Sequence, residues 1–152
     1  MAKKSTSTKK IQNRRARYDY TLDNDYVAGI SLTGKETKAL RLGHGHLRGA
    51  YVTLKGGEVW LINATITSFR GAEIPESDQT RARKLLLKKR EIDQLAEAKQ
   101  QGKTIVPLEI LTGGRYIKVR IATGRGKKLY DKRHVLKKKD EDRQIQRKLA
   151  RQ

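Results

Sequence analysis

The placement of charge constrains this chain more than any other feature. Residues 1–17 carry seven basic and no acidic side chains, and residues 125–152 carry twelve basic against four acidic. The intervening stretch is nearly balanced, at 17 basic to 12 acidic, and holds almost all the large apolar side chains. The ends therefore hold +15 of a formal net charge of +20. Chain ends that are highly charged and poor in apolar residues cannot bury enough surface to offset their ordering entropy. The sequence thus predicts a basic arm over 1–17, a globular body over 18–124 and a basic tail over 125–152.

A pI near 10.4 calls for a polyanionic partner, and nucleic acid is the one that fits. A membrane surface fits less well. No apolar run approaches the roughly 18 residues that mark a span, and the basic stretches lack an interleaved Trp, Phe or Leu face. With no cysteine there are no disulfides, thiolate metal sites or thiol nucleophiles, and the basic N-terminus is not followed by an apolar stretch. A cytoplasmic protein is expected.

Within the body the dominant hydrophobic period is two. Tyr18, Tyr20 and Leu22 alternate with Asp19, Thr21 and Asp23, and Tyr26, Ala28, Ile30 and Leu32 continue the habit, which predicts half-buried strands. Thr33 and Glu36 form a capping-box pattern that starts a short helix ending near Gly43. Ala50–Leu54 and Val59–Ile62 flank Gly56-Gly57, and Ile105–Leu111 and Tyr116–Ile121 flank Gly113-Gly114. Both read as hairpins whose glycines supply positive φ, with Pro107 marking an edge or bulge. Leu85-Leu86-Leu87 reads as a strand, and Ile92, Leu95 and Ala96 as a helix of about three turns closed by Gly102. Together these predict a mainly β chain, a small OB-like antiparallel β-barrel with two or three helices and a basic C-terminal tail. An SH3-like barrel would produce the same pattern.

Several motifs bear on function. Alternation puts Tyr116, Lys118 and Arg120 on one strand face and Ile117, Val119 and Ile121 on the other, so a ring and two cations point outward, as base stacking and phosphate neutralisation require. A solvated strand face would look the same, and the total charge favours the RNA reading. Arg81, Arg83 and Lys84, then Lys88, Lys89 and Arg90, bracket the leucine triplet at the start of a helix, where the macrodipole disfavours cations and an anionic ligand would compensate. Arg14, Arg15 and Arg17 form a cationic string just before Tyr18, either a solubilising arm or a set of phosphate contacts. No metal is expected: His44 and His46 have no thiol or carboxylate cluster to complete a shell, and His134 lies in the tail. No nucleotide loop or nucleophile elbow is present, so neither a cofactor nor an enzymatic activity is expected. A small nuclease would need a carboxylate cluster or His pair that this sequence lacks.

Several strings in the chain resemble those of the small protein B family. They are Asn13-Arg14-Arg15-Ala16-Arg17 with Tyr20, Tyr26 with Ala28-Gly29-Ile30, and Gly34-Lys35-Glu36 with Lys38, Leu40 and Arg41. Arg81-x-Arg83-Lys84-Leu85-Leu86-Leu87, Arg90-Glu91-Ile92 and Gly126-Lys127-Lys128-x-x-Asp131-Lys132-Arg133 complete the set. The match runs from about Ile11 to the C-terminus. The resemblance implies an OB-like barrel that binds the tRNA-like domain of tmRNA and enters the ribosomal A site with it in trans-translation, with elongation factor Tu an indirect partner through aminoacylated tmRNA. It places Arg83, Lys84, Leu86 and Lys118 at RNA-contact positions, beside the candidates Arg14, Arg15, Arg17, Tyr18 and Arg120. It also implies that Lys127, Lys128, Tyr130, Asp131, Lys132 and Arg133 lie at the 16S rRNA decoding centre, with the rest of the tail, unstructured alone, helical in the empty mRNA channel. Two positions depart from the family pattern: Val27 stands where a Glu is usual, and Tyr18 where a His is common. The rival reading is a generic OB-type or ribosomal protein for structured RNA, which would not need the Gly-Lys-Lys-x-x-Asp-Lys-Arg tail.

Overall fold

The computed structural model of this chain describes residues 11–127 and 129–150. In chain order the elements are β1 (Ile11–Gln12), α1 (Ala16–Asp19), β2 (Tyr20–Ile30), α2 (Gly34–Arg41), β3 (Gly45–His46), β4 (Tyr51–Lys55) and β5 (Glu58–Ile62). They continue with β6 (Thr65–Ile66), α3 (Glu76–Gln79), β7 (Arg83–Leu86), α4 (Lys89–Gln100), β8 (Thr104–Leu111), β9 (Lys118–Gly126) and α5 (Leu129–Ala150). The chain is mainly β, as its period-two patterning predicts.

Six strands follow one another around a ring-like antiparallel sheet in the order β8, β4, β5, β7, β2 and β9, and β9 pairs again with β8. Ring closure protects sheet edges that would otherwise present unpaired backbone groups. Two short strands share the remaining edge of β8, with Val52 of β4 opposite Ile105 and Ile11 of β1 opposite Ile110. Inward-facing residues fill the interior, among them Ala28, Val59, Leu61, Leu85, Ile105, Val119 and Ile121, and Leu40 of α2 and Leu95 of α4 close it. All nine of these are nearly or wholly inaccessible to solvent.

The local signals act as their chemistry requires. Thr33 Oγ1 accepts from the Glu36 N–H and the Glu36 carboxylate accepts from the Thr33 N–H, a reciprocal cap that starts α2. Gly56 and Gly57, at φ of 61° and 76°, make the tight turn between β4 and β5, which the positive-φ argument anticipated. The ladder between β8 and β9 shifts register between Pro107 and Glu109, a bulge at the proline.

Four expectations need correction. Tyr18 and Asp19 belong to α1, and the two alternating stretches after them form one long strand, β2, kept continuous by a register shift between Leu22 and Asp25. Gly113 and Gly114 do not hold positive φ; the second hairpin closes by a longer loop rather than a glycine turn. Residues 11–17 are not a free arm, because Ile11 and Ala16 are buried and Asn13 is hydrogen-bonded to β8. The Asn13 N–H donates to Leu108 O at 2.7 Å, and its Nδ2 to Pro107 O at 3.0 Å. The Asn13–Leu108 bond continues the β1–β8 pairing of Ile11 with Ile110 and Gln12 with Glu109, so the segment docks through its backbone and needs no apolar periodicity to do so. At the other end the body does not stop at Gly124. Arg125 and Gly126 still pair with Thr21 and Tyr20, and the Lys127 N–H donates to Asp19 O at 2.8 Å.

Beyond Lys127 the tail forms α5, with Leu136, Ile145 and Leu149 exposed. With these three apolar side chains uncovered, that part of the helix rests largely on propensity, which is marginal in water even for good helix formers.

Candidate nucleic-acid interface

The outer face of the sheet across β7, β2 and β9 carries the candidate site. Leu86 on β7 lies opposite Gly29 on β2, and Gly29 lies opposite Lys118 on β9. Directly opposed residues in an antiparallel ladder point to the same face. The row is therefore leucine, bare backbone and lysine, all outward. Leu86 is 55% exposed, large for a leucine inside a sheet. The glycine eases this geometry: a Cβ on residue 29 would sit 3.3 Å from the Leu86 Cβ, so the leucine would have to give by a few tenths of an ångström.

Two residues along β2, Val27 lies opposite Arg120 on the same face and is 44% exposed. Arg120 forms an ion pair with Glu109, Nη1 to Oε1 at 3.1 Å, while its Nε is buried without a hydrogen-bond partner, 3.9 Å from Asp25. An acceptor at position 27 would stand across the strand pair from this orphaned donor. Alternation on β9 is as expected from Lys118 on, with Lys118 exposed and Val119 and Ile121 buried; the strand starts at Lys118 rather than Tyr116, so the exposed Tyr116 and the buried Ile117 belong to the loop before it.

On β7, Lys84 is partly exposed and pairs with Glu58 at 3.0 Å on the neighbouring strand. A surface pair of this kind contributes at most about 1 kcal/mol, so a phosphate can compete for the lysine.

Arg83 is the main correction to the candidate list. Its side chain is fully buried, and all five of its N–H groups are used within the protein. Nε donates to Glu36 at 2.6 Å, Nη1 to the carbonyls of Ala64 and Arg81, and Nη2 to those of Asp78 and Gln79 at the end of α3. No donor remains for RNA. Arg83 is a positioning residue: it pins β7 to α2, α3 and the segment after β5, and so sets Lys84 and Leu86 on the outer face. Arg81 also donates to Glu36. Burial alone would push the Glu36 carboxyl up, but hydrogen bonds from Arg81, the Thr33 N–H and Arg83, with the Arg83 charge, outweigh it and hold the group below its ordinary value.

The arginine string stands beside this face. Arg14 and Arg17 line one groove with Glu109 and Arg120, so the cations at and just before α1 share a surface with the β9 cation. The Arg15 guanidinium lies 5.8 Å from the Tyr18 ring centroid. The root of the tail is tied to the same helix, since Lys127 Nζ donates to Arg17 O at 2.9 Å. Arg133 is exposed on α5. Lys128 and the side chains of Tyr130, Asp131 and Lys132 lie outside the described residues.

Sequence reasoning passed over Glu36 as more than a cap, Gly29 as more than a strand residue, and Arg41. The guanidinium of Arg41 donates to Thr112 O at 3.2 Å, Gly114 O at 3.1 Å and Arg115 O at 2.7 Å, gathering the β8–β9 loop against α2. In the sequence it reads only as a cation suited to a helix C-terminus. Among the described residues no group of three His, Cys, Asp or Glu is placed to hold a metal, and no helix is long and apolar enough to cross a membrane.

A small closed antiparallel sheet with a cationic outer face, an exposed leucine set on bare backbone and an adjoining arginine helix defines a β-sheet RNA-binding protein. The comparisons resolve the class further. The model of the family described as SmpB protein matches residues 10–151, and the chain belongs to that family. It is 45% identical over 153 residues to an SsrA-binding protein of Nitratidesulfovibrio vulgaris, covering 99% of both chains. It is likewise 45% identical over 150 residues to one of Trichormus variabilis, covering 97% of each. Among solved structures, it is similar to a chain described under "tmRNA-SmpB: a journey to the center of the bacterial ribosome", with a TM-score of 0.64 and 40% identity over 79% of this chain and 85% of that one.

Proposed function

We propose that this protein binds the tRNA-like domain of tmRNA through the β7–β2–β9 face and accompanies it into the A site of stalled ribosomes, acting by binding rather than by chemistry in the cytoplasm. The observation that carries the reading is the Leu86–Gly29–Lys118 row, an apolar contact and a cation held side by side on a rigid sheet. Leucine burial against a sugar or base offers up to about 3 kcal/mol, and Lys118 with Arg14, Arg15, Arg17 and Tyr18 supplies phosphate neutralisation and stacking. Arg120 and Lys84, already paired with carboxylates, contribute by partner exchange. The family relationship supports tmRNA over a generic structured RNA.

The tail has a separate task in this reading. Lys127, Lys128, Tyr130, Asp131, Lys132 and Arg133 would contact the decoding centre of 16S rRNA, and α5 would occupy the empty mRNA channel, where phosphate contacts offset the cost of ordering it. Elongation factor Tu would meet the complex through aminoacylated tmRNA. Sequencing the RNA that co-purifies with the protein tests the reading: one dominant tRNA-like species is expected, and a spread of ribosomal or messenger fragments would overturn it.

A further inference from the structure

We propose that Tyr116, held in place by Arg41, is a stacking platform for an unpaired base of the bound RNA. The inference deepens the function proposed above and rests on it. Tyr116 is 69% exposed, the largest exposure among the apolar and aromatic side chains of the described body. It lies two residues before Lys118, on the edge of the face that carries Leu86. The Arg115 guanidinium lies over the ring, 5.5 Å from its centroid, and the residue as a whole stays largely exposed. A largely exposed ring with a cation over it is an arrangement that accepts a nucleobase and its phosphate together.

The loop that presents it is otherwise soft. Gly113 and Gly114 give residues 112–117 wide conformational freedom, and the ladder has already closed at Leu111 and Lys118, so the fold does not require the loop to take one shape. Arg41 nevertheless gathers Thr112, Gly114 and Arg115 by their carbonyls from α2, with a guanidinium that meets no carboxylate among the described residues. These charge-assisted bonds restrict the loop before RNA arrives, so less ordering entropy is lost on binding. Arg41 is thus a positioning residue, acting through the loop carbonyls.

The test measures affinity for a transcript of the tRNA-like domain of tmRNA. Tyr116→Ala should weaken binding roughly five- to a hundredfold, the range for losing one base–aromatic stack. Tyr116→Trp should bind within about twofold of the parent, and its indole emission, taken as the difference from the parent carrying Trp60 alone, should be quenched by the RNA. Arg41→Ala in the Tyr116→Trp background should reduce that quench with the melting temperature unchanged. If Arg41→Ala fails to fold, Arg41→Lys serves, because an ammonium cannot span the three carbonyls. Unchanged affinity in Tyr116→Ala, or an unquenched indole, overturns the platform while leaving the wider function intact. A full quench in a folded Arg41 variant overturns the clamp. Failure of the unmutated protein to bind this RNA overturns the function reading and the platform with it.

Discussion

Arg83 and Glu36 form a buried ion pair, Nε to Oε2 at 2.6 Å, between a strand and a helix 47 residues apart in the chain. Neither charge has water to fall back on, so removing one strands the other. Glu36→Gln should therefore destabilise the protein by about 3–5 kcal/mol in urea unfolding, far more than a surface pair would. The pH dependence follows from the lowered ionisation of Glu36. Its contribution is fully present above the ordinary carboxylate value of 4.5 and is lost as pH falls through the lower folded value. Stability measured across that acid window should fall in the parent and stay flatter in Glu36→Gln; equal slopes would refute the assignment.

On the outer face, binding and folding should separate by strand parity. Lys118→Ala and Leu86→Ala should each weaken RNA binding with little change in melting temperature, whereas Ile117→Asp should unfold the domain by burying an unpaired charge. Gly29→Ala is the sharper case: the added methyl meets Leu86 at 3.3 Å, so the variant should fold and yet bind less tightly than the parent. Parallel melting and affinity measurements on the four variants check this, and a Lys118→Ala protein that melts early but binds normally would invert the face assignment.

How much of this was legible in the sequence divides along chain distance. The outward placement of Lys118 and the inward placement of Val119 follow from period two within one strand, and the Thr33–Glu36 cap from a four-residue pattern. What the sequence hides is long-range partnership. The string Arg81-x-Arg83-Lys84 looks uniformly solvent-facing, yet the pleat turns Arg83 into the interior between Arg81 and Lys84, where Glu36 waits on another element. Asn13 finds Pro107 O 94 residues away, and Arg41 finds the β8–β9 loop more than 70 residues away. No local period encodes these pairs, and the arm boundary at residue 17 failed for that reason.

RNA affinity should be steeply salt-dependent. Each phosphate neutralised by a lysine or arginine releases condensed counterions, with a log–log slope of about −0.7 to −0.9 per contact. Contacts from Arg14, Arg15, Arg17 and Lys118 alone would give a slope near −3. Titration of tmRNA binding from low to physiological salt checks it, and a flat profile would remove the electrostatic argument.

Val27→Glu should keep RNA affinity at or above that of the parent. The new carboxylate would stand across from Arg120, whose buried Nε lacks a hydrogen-bond partner, so it gains a local donor while offering the RNA an acceptor. A clear loss of affinity in a filter-binding or polarisation assay would show that the surface has been rebuilt around the valine.

Binding and ribosome rescue should come apart at the root of the tail, but the cut must fall after Lys127 rather than at Gly124. Arg125 and Gly126 complete the β2–β9 ladder, and Lys127 donates both its backbone N–H to Asp19 and its Nζ to Arg17. A chain ending at Gly124 would lose those bonds and loosen α1, along with the arginines that share a groove with Arg120. A chain ending at Lys127 keeps the ring, the Leu86–Gly29–Lys118 row and the arginine helix. It should bind tmRNA within a few fold of the full protein and fail to support peptide tagging on stalled ribosomes, because the helix from Leu129 and its Arg133 are gone. Circular dichroism of the two chains should also report whether α5 persists off the ribosome, where its exposed Ile145 and Leu149 have no partner. Tagging by the chain ending at Lys127 would sink the separation, as would loss of its RNA binding.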